Sequence, residues 1–268
     1  MQSIKKAAKT IKEAKYMLIT AGAGMGVDSG LPDFRGDEGF WKAYPIAQKL
    51  GLNFQALANP AWFDINPKLA WAFYGHRLNM YRNTTPHEGF KILLNFPHSK
   101  FVFTSNVDGH FQKAGFSELK IVEIHGNINY LQCSEPCYNS IWENDEDIEI
   151  DEERFEAKNW PLCKYCKRVA RPNILMFSDL RFVDKRVNLQ LARFEYWLSQ
   201  IDEKLVIIEI GAGKTVPTVR MMSEKVARSC DSTLIRINPL EYEDADIQIK
   251  KGALEALREI NKLIKGEK

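Results

Sequence analysis

Residues 20–36 read TAGAGMGVDSGLPDFRG and follow directly on the apolar run Tyr16-Met17-Leu18-Ile19. A short apolar run of this kind suits a buried strand. Gly22, Gly24 and Gly26 then recur at every second position, followed by Ser29-Gly30 and the Pro32-Asp33-Phe34-Arg35-Gly36 tail. A strand that runs into close-set glycines lets backbone N–H groups approach a pyrophosphate, because no Cβ intervenes. The spacing departs from G-x-G-x-x-G, since the third glycine arrives one residue early. A plain tight turn accounts for the glycines alone. It does not account for an acid, an aromatic and a guanidinium directly behind them.

The chain of 268 residues is long enough for a substantial core, and 45% apolar with 27% charged residues is ordinary globular usage. A net charge of +2 gives no field for nucleic acid or a membrane surface, so neither is expected as a partner. No apolar run reaches the length of a membrane span, and the lysine-dotted N-terminus lacks the apolar centre of a signal peptide. Five cysteines without a secretory signal favour a reducing compartment, so the expected location is cytoplasmic.

Working outward, residues 4–15 predict a helix and 16–21 the first strand. Residues 37–98 carry helical spacing broken by Pro45, Pro60, Pro67 and Pro86. Further strands are expected at 100–104, 120–124, 173–177, 205–210, 232–237 and 245–249, with a last helix at 253–264. Strands alternating with helices, and polar or glycine-rich groups at strand ends, predict an α/β fold with a doubly wound parallel sheet. Ligands in such sheets bind beyond the carboxyl ends of the strands, which brings Gly22, Asn106, His125 and Gly211 toward one crevice.

Cys133 and Cys137, then Cys163 and Cys166, form two close pairs flanking a polar segment. Two such pairs can close a tetrahedral thiolate site, which suits a structural zinc ion. Four unrelated buried cysteines are the bland alternative. Cys230 stands apart and reads as a small buried residue. Residues 143–153 hold eight acids and no base, a pattern that defaults to a solvated loop.

Together these pieces resemble the sirtuins, the family of NAD-dependent protein deacylases. The resemblance rests on GAGMGVDSGLPDFRG at 22–36, TSNVDGHFQKAG at 104–115, EIHGN at 123–127 and the two cysteine pairs. RPNILMFSD at 171–179, the glycine loop after 205–210, and Ile237-Asn238 complete it. It implies a Rossmann-like domain from 1–36, 87–130 and 171–268, with a helical insert (37–86) and a zinc module (131–170) forming a small domain. It also implies NAD as co-substrate, structural zinc, and an acylated-lysine protein or peptide as partner.

By the same resemblance, Gly22, Ala23 and Gly24 would cradle the pyrophosphate through backbone donors. Phe34 and Arg35 would wall the reacting ribose, with Asp33 beside them among the cofactor-binding residues. Asn106 and Asp108 would border the nicotinamide, with Asn106 also serving the chemistry and Ser105 and Val107 binding the cofactor beside them. Gly211, Ala212, Gly213, Asn238 and Leu254 would take the adenosine half. His125 would be general base on a ribose hydroxyl, a task an imidazole titrating near neutrality suits. The acylated peptide would add as a strand between segments at Phe177 and Val216.

Tyr74 and Arg77 resemble the Tyr-x-x-Arg pair with which certain sirtuins hold a succinyl or malonyl carboxylate, and i,i+3 spacing puts both on one helix face. Acetyl and the negatively charged acyl groups both stay open. Ser105 stands where the family usually has glutamine, and Ala212-Gly213 where Thr-Ser is common. ADP-ribosyl transfer to protein and a non-catalytic NAD-responsive binding module are the competing functions.

Overall fold

The computed structural model describes residues 2–33 and 36–266. Among the described residues there are eleven strands: β1 (Tyr16–Ala21), β2 (Ser99–Thr104), β3 (Ile121–Glu123), β4 (Gly126–Cys133), β5 (Trp142–Glu143), β6 (Ile150–Asp151), β7 (Glu156–Ala157), β8 (Ala170–Ile174), β9 (Leu205–Ile210), β10 (Ser232–Ile237) and β11 (Ile247–Ile249). The helices are α1 (Gln2–Glu13), α2 (Gly36–Ala43), α3 (Pro45–Lys49), α4 (Phe54–Leu57), α5 (Trp62–Ile65), α6 (Pro67–Asn83), α7 (Glu88–Asn95), α8 (His110–Lys113), α9 (Lys185–Ser199), α10 (Thr218–Ser229) and α11 (Ala253–Lys265).

Six strands form one parallel sheet in the order β11-β10-β9-β1-β2-β3. The chain therefore builds outward from β1 in one direction, returns, and builds outward from β9 in the other. The topological switch lies between β1 and β9, where α/β sheets of this order open a crevice. Both sheet faces are covered, and the side chains divide by the two-residue period of a strand. Met17, Ile19, Val102, Val206, Ile208 and Ile235 join the core under α1, α7 and α11. Leu18, Phe101, Phe103, Leu205, Ile207 and Leu234 join the opposite core, with Phe194 and Trp197 of α9 and Val226 of α10. Helix α1 docks through Ile4, Ala7, Ala8 and Ile11, the stripe that 3.6-residue periodicity puts on one face.

The expected strand at 173–177 differs. The strand there is β8, ending at Ile174, and it pairs antiparallel with β4 in a separate sheet ordered β5-β4-β8. The apolar run Ile174–Phe177 was legible, but its pairing depends on β4, whose mixed residues gave no strand signal. Arg171 explains where the run bends. Its guanidinium, fully buried, makes two bonds to the equally buried Asp179 carboxylate, at 2.7 and 2.9 Å. Asp179 also accepts from the Met176 and Arg181 amides, so the loop is gathered around one carboxylate. Removing either partner would strand a buried charge, which costs about 3–5 kcal/mol.

A third, aromatic core joins the helices of 40–81 to β4, β7 and β8. It contains Phe40, Tyr44, Phe63, Trp71, Phe73, Tyr74, Ile128, Ile148 and Ile174. Trp71 donates its indole N–H to the Ala170 carbonyl at 2.9 Å, which ties α6 directly to β8.

Candidate active site

The carboxyl edge of the large sheet carries most of the expected site residues, in spatial order. His125 follows β3 at one edge, Ser105–Asp108 follow β2, and Gly22–Gly24 follow β1. Gly211–Gly213 follow β9, Asn238 follows β10, and Leu254 opens α11 after β11. Six strands about 4.8 Å apart spread these groups over about 24 Å. An extended dinucleotide has the length to lie along such an edge.

At the switch point the two glycine loops touch backbone to backbone. A Cβ on Gly22 would lie 2.7 Å from the Gly211 carbonyl oxygen, and one on Gly24 would lie 2.7 Å from the Gly211 Cα. Gly22 donates to the Ile210 carbonyl at 3.0 Å and Gly24 to the Gly211 carbonyl at 3.1 Å. These two amides, expected as phosphate donors, join the two loops here. The glycines are needed for close approach. Ala23 opens the short turn Ala23–Met25, the helical position whose N–H has no partner of its own within the turn. Gly211 has φ +62, and a Cβ there would collide with Gly24. Gly211→Ala is expected to destabilise the fold by more than about 1 kcal/mol, from strain plus overlap. A thermal melt unchanged from wild type would contradict this packing.

Asn106 links the next strand end to this unit. Its Nδ2 donates to the Gly22 carbonyl at 3.0 Å, and its amide donates to Thr104 Oγ1 at 3.0 Å. The Ser105 amide donates to the Ala21 carbonyl and the Val107 carbonyl accepts from Ile128. Asp108 accepts the His110 amide at 2.8 Å. Loss of solvent raises its carboxyl above the usual carboxylate range, against the opposing pull of His110 and Arg77. Asn238 is buried and its side chain is fully engaged. Its Nδ2 donates to the Ala212 carbonyl at 3.0 Å, and its Oδ1 accepts from the Leu240 and Glu241 amides. Arg220 adds a second tie, donating to the Ala212 and Glu241 carbonyls. Sequence reasoning had no signal for Arg220, which reads as an ordinary helical arginine.

Asp28 was likewise missed. Its Oδ2 accepts from the Leu254 amide at 2.8 Å and so caps α11, clamping the loop to the helix start. Leu254 is half-buried at that junction. Asp33 is half-buried at the end of the loop, and Phe34 and Arg35 lie outside the described residues.

His125 sits where β3 turns into β4. Gly126 has φ +81, and a Cβ on it would collide with the Asn173 carbonyl. The His-Gly pair is therefore what allows the imidazole to reach this corner. The His125 carbonyl accepts from Leu175, and its Nε2 lies 3.5 Å from Thr218 Oγ1. Burial lowers the imidazole below its ordinary value, so the neutral base predominates at neutral pH.

Tyr74 and Arg77 come together on α6, but not as a hydrogen-bonded pair. The buried Arg77 guanidinium donates through Nε and Nη2 to the Tyr81 hydroxyl, at 3.1 and 2.9 Å. It lies 5.4–5.8 Å from the ring centres of Phe54, Phe73, Tyr74 and Tyr81, an aromatic cage for a cation. Tyr81 could have been found one turn beyond Arg77 on the same face. Phe54 also packs edge-on against Phe177, with ring centres 5.9 Å apart, so one ring joins the cage to the expected peptide edge. The Phe177 amide is taken by the Ala58 carbonyl at 3.0 Å, while Val216 is exposed on the facing loop.

Cys133, Cys137, Cys163 and Cys166 converge, with all four sulfurs within 4.8 Å of one another. The Cys133–Cys166 and Cys137–Cys163 sulfurs are 3.6 Å apart, too far for disulfides. A zinc ion with four thiolates at about 2.3 Å requires sulfurs about 3.8 Å apart, so the cluster fits that ion. Without a cation the thiols oppose one another's ionisation. The Arg168 amide brings Cys166 down to about 7, and Cys166 in turn pushes Cys137 up to about 12. A divalent ion removes that conflict.

A model described as the Sir2 family matches residues 22–217. An NAD-dependent protein deacylase of Aquifex aeolicus is 32% identical over 248 residues, covering 89% of this chain and 91% of that protein. One from Leptospira interrogans is 30% identical over 235 residues, covering 84% and 82%. Among solved structures, a Sir2 homologue in complex with ADP-ribose superposes with a TM-score of 0.73 at 25% identity, covering 97% of this chain and 96% of that one.

Proposed function

The chain belongs to the Sir2 family, and we propose that it is an NAD-dependent deacylase acting on acylated lysine side chains of proteins. The observation that carries this reading is the order of groups along the sheet edge. A half-buried, neutral imidazole stands at one end, a switch-point loop pair at the centre, and a capped helix start at the other. When bound, NAD supplies an electrophilic ribose carbon and carries the acyl group away as O-acyl-ADP-ribose, with nicotinamide released.

The remaining work falls to this chain. Ala23 presents a turn-opening amide to the pyrophosphate, within a loop held rigid by Gly22, Gly24 and Gly211. Asn106 and Asp108 border the nicotinamide. The Asp108 carboxylate can accept from the carboxamide N–H. His125, neutral through burial, takes the proton of a ribose hydroxyl. The four cysteines hold a structural zinc ion and no reacting group.

For the acyl group, the Arg77 cage favours a chain ending in a carboxylate. A guanidinium oriented by Tyr81 and surrounded by aromatic faces is chemistry suited to succinyl or malonyl. Phe54 joins that cage to Phe177, where the peptide would lie. Mass spectrometry after mixing NAD with acetyl-, succinyl- and malonyl-lysine peptides tests both levels. The expected products are free lysine and O-acyl-ADP-ribose, with succinyl or malonyl preferred. Arg77→Met should cost those two about 10- to 100-fold in kcat/KM and leave acetyl turnover in place. Equal turnover of all three, unmoved by Arg77→Met, would overturn the acyl assignment. ADP-ribosylated protein, or no nicotinamide release, would overturn deacylation itself.

A further inference from the structure

His87 lies outside every motif discussed so far, yet it is buried between the glycine loop and the start of α7. Its Nδ1 accepts from the Gly89 amide at 2.9 Å, so the imidazole itself caps that helix. Its Nε2 lies 2.9 Å from the Met25 carbonyl, which can only accept, so Nε2 carries the hydrogen. Its backbone amide donates to Ser29 Oγ at 2.9 Å. These partners fix one neutral tautomer. Met25 closes the turn that follows Gly22 and Gly24, so the ring holds that loop from beneath.

A Cβ on Gly89 would lie 2.5 Å from the imidazole Cε1, so a glycine at that position is what admits the ring. The charged and titratable groups facing His87 are Asp28 from the turn Val27–Ser29, His110 from α8 and Arg258 from α11. Arg258 is paired with Glu88 at 2.7 Å, and Asp28 is engaged with the Leu254 amide. None of them contributes a carboxylate hydrogen bond to the ring. At the far end of α7, Lys100 donates to the Leu93, Leu94 and Phe96 carbonyls. The helix thus has its cation at the carboxyl end and a neutral cap at the amino end, as its dipole favours.

We propose that His87 is a positioning residue that holds the glycine loop in its nucleotide-binding shape only while neutral, so that acid weakens NAD binding separately from the chemistry at His125. The proposal rests on the reading of this loop as the dinucleotide site. A proton on Nδ1 would set two donors, imidazolium and Gly89 amide, against each other at the amino end of a helix. The ring must then leave, and Met25 and the helix start lose their partner together. Burial lowers this imidazole below its ordinary value. The support is therefore complete above about pH 6.5 and is lost as pH falls below it.

Calorimetric titration of the full chain with NAD from about pH 8 to pH 5, for wild type and His87→Asn, tests this. Asparagine can accept from Gly89 as a helix cap and does not titrate. Wild-type affinity is expected to fall about tenfold across the acid range, the loss of two ordinary hydrogen bonds, while His87→Asn stays nearly flat. The same slope in both proteins overturns the proposal. Nitrogen NMR of the wild type gives a second reading, independent of that variant's folding. It should show the Nε2–H tautomer at pH 7.5, with Met25 and Ser29 amide shifts following the His87 midpoint. The other tautomer, or amides indifferent to that midpoint, overturns it. Absence of NAD binding at every pH would instead remove the dinucleotide reading, and the amide shifts would still decide whether His87 governs the loop.

Discussion

Replacing His125 with alanine is expected to lower deacylation kcat/KM by about 10²–10⁴-fold, the usual worth of a positioned general base. The variant should fold, because the bond that ties this corner, from Leu175 to the His125 carbonyl, uses backbone only. NAD affinity should stay within a few-fold, since the loops at the switch point are bound by Gly22, Gly24, Asn106 and Asn238 rather than by the imidazole. The wild-type pH profile carries a second expectation. Burial lowers His125, so the base stays deprotonated on the acid side of its ordinary value and the acid limb of kcat/KM falls below about pH 6.5. His87→Asn separates this limb from any change in cofactor affinity. Loss of less than tenfold in His125→Ala, or an acid limb centred above neutrality, would refute the assigned role.

Removal of the metal is the second large effect. Four thiolates in a closed tetrahedron contribute to folding outright, by about 10–16 kcal/mol in small zinc peptides at neutral pH. Cys133 is the last residue of β4, and β4 begins at Gly126, directly after His125. Cys163 accepts from Lys167 and donates to Arg168, so the second pair holds the hairpin that leads into β8. Loss of the ion would loosen both β4 and β8, the strands that meet at the His125–Leu175 corner. Chelation at elevated temperature is expected to release about one zinc per chain, lower Tm by more than about 10 °C and abolish turnover. Metal analysis beside a thermal melt measures this. Protein purified without zinc that melts unchanged in chelator would contradict it.

Much of the architecture was legible because buried parallel strands must be apolar on both faces. Tyr16–Ala21, Phe101–Thr104 and Leu205–Ile210 announce themselves in that way, and the glycines at their ends mark the crevice. The cysteine pairs were legible because a metal dictates spacing. Three features were not. Strand β4, with Asn127, Asn129, Tyr130 and Gln132, has no apolar period, because its partners are β5 and β8 and its amide side chains are tied into polar bonds, Asn127 to Glu123 and Asn129, and Gln132 to Asn173. The Arg171–Asp179 pair looks like two surface charges until the loop folds over it. Asp28, His87, Tyr81 and Arg220 act by holding other groups in place, and residues of that kind carry no motif. The glycine loop illustrates the difference: its location could be read, but the employment of its amides depended on a partner loop nearly two hundred residues away.

That distance bears on how the molecule comes into being. Gly22 and Gly24 are synthesised long before Gly211, the residue of the distant loop against which they pack. Contacts so distant along the chain are slow to form and reward the chain late. A nascent chain that still lacks Gly211 therefore has only half of the loop pair, and nucleotide can steady the fold only after the second loop has been made.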